Sequence, residues 1–380
     1  MSEFSTIAVV GASARSAAFS LLRAGYRVVT ADLFADADLA QCCKATQVSP
    51  YPDGLPDWLA QCECDAWLYT GALENRPELV ERMAQMNPLL GNAGEALCRC
   101  RDPWALIEYG LPVPETARSC EGLPSDGSWL CKTYRGSSGS GVWELADETS
   151  RQRAVETGAV YQRRVPGKSA SAVFVLGEGW HKTLGITSQW VGESTTGAVG
   201  FQYAGSSTTN MTKCGNVERE IDRIGRVLAE RFGLRGLVGV DVVLDSDQVW
   251  LLEVNPRYTA SVEIIERSNR ASAIKAHVAA CLGASAEKIE WGVGGEKVFG
   301  KAVLYAKRDL AINQSFFQWA MCESGADFEN GVADVPCVGS EIPAGRPVIT
   351  VFATGENSTD DRFLRERVAE VESRLYGESL

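Results

Sequence analysis

A hairpin with four polar side chains near its base carries the clearest chemistry in the sequence. Residues 236–257, GLVGVDVVLDSDQVWLLEVNPR, read as an apolar strand, a polar tip and a second apolar strand. Pairing about that tip places Asp241 opposite Glu253, and Asn255 shares a face with Glu253 because side chains alternate along a strand. Two facing carboxylates repel, and with an amide oxygen they are hard ligands suited to Mg²⁺ or Mn²⁺. Arg257 follows where it would meet developing negative charge. An exposed hairpin with solvated acids is the alternative, and the apolar residues around the acids disfavour it.

A glycine- and serine-rich loop offers a second site, this time for an anion. In LCKTYRGSSGSGVWEL, residues 130–145, a strand ends at Lys132 and a second strand follows the loop. Glycines let the backbone fold over a ligand, and their N–H groups and the serine hydroxyls suit phosphate oxygens. A lysine beside the loop supplies a point cation. The Walker sequence is absent, and a flexible hairpin tip is the alternative. The loop residues are Gly136, Ser137, Ser138, Gly139, Ser140 and Gly141.

The elements before these sites predict a doubly wound opening domain. TIAVVGAS and RVVTADLF read as strands around a helix, a βαβ unit, but the loop between them has one glycine where a dinucleotide fingerprint needs three. We therefore expect a Rossmann-like domain that helps to bind another substrate. Arg15 is a candidate carboxylate anchor, with a surface arginine on the first helix as the alternative. Glu74 and Asn75, after a predicted strand at 65–71, are candidates to meet an amine.

Composition limits the class of protein. A chain of 380 residues suggests two or three domains, and its net charge of −12 disfavours nucleic acid or anionic membrane as a partner. No apolar run approaches a membrane span of about 18 residues. The start, MSEFSTIAVVGAS, lacks a basic signal-peptide region, so we expect a cytoplasmic protein. Twelve cysteines without C-x-x-C and only two histidines predict reduced thiols rather than a zinc site.

Four segments in order resemble the ATP-grasp superfamily. They are KTYRGSSGSGV, YQRRVPGKSAS, VGVDVV and LLEVNPR, and the similarity extends over roughly residues 1–275. The resemblance implies a mixed α/β and α+β protein: a Rossmann-like domain at 1–100, an ATP-grasp fold at 101–275 and a small α+β piece at 276–380. Within the second part, the central subdomain would span about 116–165.

The resemblance also implies roles for the residues above. Lys132 would bind phosphate and the loop would cover the γ-phosphate of ATP. Asp241, Glu253 and Asn255 would hold Mg²⁺, and Arg257 would steady an acyl phosphate. The stretch 162–165 resembles the hinge that meets adenine, which makes Gln162 and Val165 candidate contacts, although the usual acidic residue is missing there. Many members carry a further lysine or arginine before the central subdomain that also binds phosphate. Here we expect Arg101 to take the place of that residue.

The family typically joins a carboxylate to an amine through an acyl phosphate, so we expect an ATP-dependent ligase with two small-molecule substrates. The C-terminal stretch VADVPCVGSEIPAGRPVITVFATG further resembles ligases of tetrahydromethanopterin- and methanofuran-linked one-carbon metabolism, whose relatives add glutamate to an amine. A carboxyl-transferring or kinase-like enzyme and a nucleotide-binding protein without turnover stay open. Whether the chain forms a homodimer also stays open.

Overall fold

The computed structural model describes residues 4–133, 136–208, 215–292, 295, 297–325, 330–356 and 360–377. Within these ranges, every helix is too short or too polar to span a lipid bilayer. The described chain is organised around three sheets of four, four and eight strands, with a separate two-stranded ladder near the C-terminus.

The N-terminal part is a parallel sheet with helices on its faces. Its four strands run in the order β3-β2-β1-β4 and all pair in parallel, which is the doubly wound opening that the sequence predicts. Both faces of the sheet are buried, because apolar side chains alternate above and below it. The strands are β1 (Thr6–Val10), β2 (Arg27–Asp32), β3 (Lys44–Gln47) and β4 (Ala66–Tyr69), and the helices are α1 (Arg15–Arg23), α2 (Ala37–Cys42), α3 (Leu55–Ala60), α4 (Pro77–Ala84), α5 (Gly94–Arg101) and α6 (Pro103–Glu108).

The central part is a small antiparallel sheet with its own core. Strand order is β5-β8-β6-β7, and the sheet spans Thr116 to Arg163. Trp129 and Tyr161 pack in this core against the single helix of the region. The glycine loop, residues 136–141, lies between the second and third strands. The elements are β5 (Thr116–Ala117), β6 (Trp129–Lys132), β7 (Val142–Glu144), α7 (Glu148–Glu156) and β8 (Val160–Arg163).

The large sheet combines the remaining elements. Its first elements are β9 (Lys168–Gly177), β10 (Trp180–Val191), β11 (Tyr203–Ser207), α8 (Gly215–Arg231), β12 (Gly236–Asp245), β13 (Gln248–Asn255), α9 (Ala260–Asn269) and α10 (Ala273–Cys281). The later ones are β14 (Lys297–Tyr305), β15 (Leu310–Ala311), α11 (Gln314–Glu323), β16 (Gly331–Ala333), β17 (Glu341–Ile342), β18 (Pro347–Glu356) and α12 (Arg362–Tyr376). The order β13-β12-β9-β10-β11-β14-β18-β16 crosses the boundary predicted at 275, because β14 pairs with β11.

Of two helices in this region, α8 follows from the local sequence pattern, whereas α9 does not. Helix α8 buries the apolar stripe that its sequence predicts, with Ile221, Ile224 and Leu228 packed on the large sheet. Helix α9 begins directly after the base of the β12–β13 hairpin, where the sequence predicts helix only from 268 to 282. The structure instead forms two helices, because α9 packs across the sheet and α10 returns beside it.

Candidate active site

The β12–β13 hairpin places Asp241 directly opposite Glu253. The register is Val242 with Leu251 on one side and Asp241 with Glu253 on the other, so Leu252 is the extra residue of a β-bulge. Bulges re-aim side chains and occur often beside active sites. The predicted facing pair is therefore present, and the bulge is the local irregularity that produces it.

Asp241 is held by neutral donors. Gln189 Nε2 donates to Asp241 Oδ1 at 3.0 Å, and Asn255 Nδ2 donates to Asp241 Oδ2 at 3.0 Å. Burial raises the pKa of Asp241 to about 7, and the facing charge of Glu253 adds to the rise. Burial and the facing carboxylate therefore both disfavour the charged form of Asp241.

Glu253 faces the cleft, with 48% of its side chain exposed. Desolvation in the cleft pushes its pKa upward, but the positive charges of Arg101 and Lys132 outweigh this and leave the pKa below its ordinary value. Asn255 Nδ2 also donates to Glu253 Oε1 at 3.2 Å. Among the described residues no group of three His, Cys, Asp or Glu side chains converges, so the candidate oxygen ligands are two carboxylates and one amide.

Lys132 and the glycine loop form the anion-binding side. Lys132 ends β6, and its Nζ donates to Gln162 Oε1 at 2.5 Å. Burial lowers the pKa of Lys132. Every residue of the loop except Ser140 lines the cleft, while the Ser140 hydroxyl donates to the Ser137 carbonyl at 2.8 Å. Gly139 has φ +76°, and a Cβ there would lie 1.7 Å from the Phe201 carbonyl oxygen, so the close approach of the backbone requires glycine.

Arg257 lies between the N-terminal sheet and the hairpin. One NH2 nitrogen donates to Glu74 Oε1 at 2.6 Å and to Asn255 Oδ1 at 3.3 Å. A Cβ on Gly71 would lie 3.0 Å from the guanidinium carbon, so the end of β4 closes against this side chain. The Nε of Arg257 and the Oε2 of Glu74 are buried and without a hydrogen-bond partner in the structure. Both are polar groups that a ligand can satisfy.

Arg101 joins the same cleft from the end of α5. Its NH1 lies 3.5 Å from Glu253 Oε2 and donates to the Val254 carbonyl at 3.1 Å. Its NH2 donates to Asn75 Oδ1 at 2.8 Å. Arg101, the candidate for the further basic residue of the family, thus lies beside the carboxylate pair.

The cleft between the central and large sheets has a volume of about 350 Å³. One end carries the carboxylates, Lys132 and the loop. An apolar wall lies between the two sheets and can cover a flat ring. Its members are Leu106, Leu130, Val142, Val160 and Leu252. Val165 follows β8 and does not line the described part of the cleft, whereas Gln162 does, with its side chain bonded to Lys132.

Arg15 is a correction to the sequence prediction. The side chain is 1% exposed and forms ion pairs with Glu263 and with Asp334, the latter at 2.9 Å from Nε. Its guanidinium is therefore neither a carboxylate anchor in the cleft nor a surface arginine. After β4, Glu74 and Asn75 contact two residues that line the cleft: Glu74 accepts from Arg257, and Asn75 accepts from Arg101.

Several residues of the cleft carry no sequence motif. Gln189 on β10 holds Asp241, and Thr259 and Ser261 line the cleft at the start of α9. Tyr203 and Ser171 also line it. For Ser171 the signal is a polar residue at alternate positions of an otherwise apolar strand, KSASAVFV at 168–175, and that pattern also describes an ordinary solvated face.

A protein-family model for the ATP-grasp domain matches residues 104–261. An uncharacterized protein of Methanocaldococcus jannaschii, MJ0776, is 28% identical over 172 residues, which are 45% of this chain and 39% of that protein. The match thus spans well under half of that relative.

Solved structures with the same fold cover nearly the whole chain. N5-carboxyaminoimidazole ribonucleotide synthetase from Thermus thermophilus superimposes with a TM-score of 0.69 at 17% identity, covering 97% of this chain and 98% of that one. L-amino acid ligase from Bacillus licheniformis gives 0.71 at 13% identity and 97% of each chain. Biotin carboxylase from Campylobacter jejuni gives 0.68 at 14% identity, with 93% and 88% covered. The chain therefore has the ATP-grasp fold, and residues 104–261 match the model of the ATP-grasp domain.

Proposed function

We propose that this protein is an ATP- and Mg²⁺-dependent ligase that joins a carboxylate to an amine through an acyl phosphate. The observation that carries the proposal is the facing pair Asp241 and Glu253 in one cleft with Lys132 and the glycine loop. Oxygen ligands for a hard cation and donors for phosphate are then within one cavity, as phosphoryl transfer requires.

The donor set fits the metal and the nucleotide. Two carboxylates and an amide suit Mg²⁺ or Mn²⁺, which usually keeps several ligands from phosphate and water rather than an all-protein cage. When bound, the ion would neutralise charge on the phosphate oxygens. Lys132 and the loop N–H groups would bind the phosphates, and the apolar wall would cover adenine.

The chain's own residues supply position and charge. An oxygen of the acid attacks the γ-phosphorus, the bond to the β,γ-bridging oxygen breaks, and ADP leaves. The amine nitrogen then attacks the acyl carbon, phosphate leaves, and the nitrogen loses its proton. Arg257, fixed by Glu74 at 2.6 Å, would hold the acyl phosphate oxygens with its remaining N–H groups. Asn75 and Glu74 would lie beside the acceptor amine.

The substrate classes rest on similarity and chemistry. The likeness to an L-amino acid ligase supports an amino acid as one substrate. The sequence resemblance to ligases of methanofuran- and pterin-linked one-carbon metabolism supports glutamate and a cofactor-precursor amine as the pair. A cytoplasmic location and a homodimer belong to the same proposal, and the mass of the native protein in solution tests the dimer.

Carboxyl transfer is the second candidate, since two of the solved structures named above are a carboxyaminoimidazole ribonucleotide synthetase and a biotin carboxylase. ADP release that requires bicarbonate would support it. ADP release with a stable phosphorylated product would support a kinase-like reaction, and nucleotide binding without turnover would support a regulatory protein.

A screen of amino acids against amines, read by ADP release and mass spectrometry of the product, tests the proposal. We expect ADP release that requires both a carboxylate and an amine and that yields a product heavier by the amine minus water. Glu253→Gln should abolish it. Asp247→Asn, the same change of charge at the exposed tip of the same hairpin, is the matched control. ADP release that needs only bicarbonate, or none with any pair, contradicts the ligase assignment.

A further inference from the structure

The amide of Asn75 connects two parts of the cleft that are far apart in sequence. Its Oδ1 accepts from Arg101 NH2 at 2.8 Å, and its Nδ2 donates to the Gly136 carbonyl at 2.9 Å. The orientation of the amide follows from its partners, because a guanidinium only donates and a carbonyl only accepts. Asn75 thus uses both ends of its side chain for the cleft.

The glycine loop is held from two other domains as well as by its own strands. Asn75 reaches it from the 3₁₀ turn Leu73–Asn75 that follows β4. On the far side, the Tyr203 N–H of the large sheet donates to the Ser138 carbonyl at 3.1 Å. The loop, 136–141, therefore lies closed over the cleft, bridging the N-terminal sheet and the large sheet.

Arg101 continues the connection to the carboxylates. Its NH1 lies 3.5 Å from Glu253 Oε2 and 3.4 Å from Asn255 Oδ1. A chain of polar contacts thus runs from Glu253 through Arg101 and Asn75 to Gly136. The two ends of this chain are the proposed metal ligands and the proposed phosphate cover.

We propose that Asn75 is a positioning residue that latches the glycine loop closed through Gly136 while it holds Arg101 against Glu253. The latch itself rests on these contacts, and its effect on the reaction rests on the proposed ligase function. A closed loop excludes water from a reactive acyl phosphate, so the latch would direct that intermediate to the amine rather than to hydrolysis.

Two substitutions separate the arms of the latch. Asn75→Asp keeps an oxygen for Arg101 but replaces the donor to the Gly136 carbonyl with a second acceptor. Asn75→Leu removes both bonds at similar size. Asn87→Asp is the control, since Asn87 lies in the same domain and, among the described residues, its side-chain amide donates to Cys64 Sγ at 3.6 Å, away from the cleft. Unfolding temperatures of all three report whether the fold is retained.

Limited trypsin digestion without nucleotide, with the cut sites identified by mass spectrometry, tests the latch directly. The sequence has Lys132 and Arg135 immediately before the loop. Loss of one hydrogen bond should speed cleavage there by about two- to tenfold in Asn75→Asp and Asn75→Leu, and Asn87→Asp should match the wild type. Loop cleavage at the wild-type rate in Asn75→Asp overturns the proposal, and so does faster cleavage spread over the whole chain.

This readout needs no substrate, so it distinguishes the latch from the proposed function. A wild type that binds no nucleotide would contradict the ligase while the nucleotide-free digestion still decides the latch. With substrates in hand, Asn75→Asp should also release more ADP per amide formed, with the KM for ATP changed less than this ratio. If Asn75→Asp changes neither the ADP released per amide formed nor the rate of loop digestion, both the latch and its effect on the reaction are contradicted.

Discussion

Two groups of polar and charged side chains in this chain differ in burial and in electrostatic balance. The interface cluster, Arg15, Glu263, Lys301 and Asp334, joins α1, α9 and the large sheet. The cleft cluster, Asp241, Glu253, Asn255 and Lys132, lies at the open end of the hairpin. In the first, each acid has a cation within ion-pair distance. In the second, the two acids face each other. Arg101 lies 3.5 Å from Glu253, whereas Asp241 accepts from the neutral Gln189 and Asn255, and Lys132 is hydrogen-bonded to Gln162.

The pKa directions follow this difference. Burial pushes the pKa of Glu263 upward, but Arg15, Lys301 and Arg267 outweigh it and hold the pKa far below its ordinary value. Asp241 goes the other way, to about 7. A cluster whose acids are paired with cations of the chain has a structural role. A cluster with an acid that has no such cation beside it is a candidate ligand-binding site.

Glu263→Gln should give the largest loss of stability. It removes the acid and leaves Arg15 and Lys301 buried without it, which costs about 3–5 kcal/mol when a buried pair is broken. Chemical denaturation followed by circular dichroism measures it. Glu366→Gln on the exposed face of α12 is the control and should change stability by less than about 0.5 kcal/mol. A loss below about 1 kcal/mol would show that the interface cluster is not a structural one.

Glu253→Gln should give the reverse profile. Activity should fall at least about a hundredfold, because a ligand of the ion is lost and several kcal/mol of charge stabilisation go with it. Stability should change by no more than about 1 kcal/mol, since one of two facing acids is neutralised. Steady-state ADP release and thermal unfolding of the same preparation measure both. Equal losses of activity and stability would erase the distinction between the clusters.

The pH dependence of stability should have opposite signs for Asp241 and Glu263. Asp241 has a pKa raised from 3.8 to about 7, so the folded state binds more protons between these values and its contribution to stability falls as pH rises from about 4 to about 7. The lowered pKa of Glu263 contributes stability that is lost on acidification below its unfolded value. Asp241→Asn should remove the first trend and leave the second. Unfolding curves across this range that are unchanged by Asp241→Asn would be inconsistent with a strained acidic pair.

Gln189→Leu should give the smallest effect. Gln189 positions Asp241 through one hydrogen bond of 3.0 Å, and loss of such support typically weakens a metal site about tenfold. The Mg²⁺ concentration for half-maximal activity measures it. Gln152→Leu on α7 is the matched control, because the exposed Gln152 side chain donates to the neighbouring Glu156 at 2.9 Å and lies away from the cleft residues. The same Mg²⁺ requirement in Gln189→Leu and in Gln152→Leu would remove Gln189 from the site.

The parts that sequence predicted well depend on local pattern. The hairpin register follows from two apolar runs and a polar tip, and the fold class, confirmed by the comparisons, follows from four ordered motifs. Arg15 was misassigned because its partner Asp334 lies 319 residues further along the chain. Sequence periodicity cannot show such a pairing. For the same reason, no local pattern shows that β14, beyond residue 275, pairs with β11 and extends the large sheet.

Calorimetric titration of a non-hydrolysable ATP analogue, with Mg²⁺ and with chelator, tests the central claim most directly. The account predicts that the wild type and Asp247→Asn bind the analogue more tightly with Mg²⁺, and that Glu253→Gln loses most of this gain. Binding of equal strength with and without Mg²⁺, or a gain in Glu253→Gln as large as in the wild type, would contradict a metal–nucleotide site at Asp241 and Glu253.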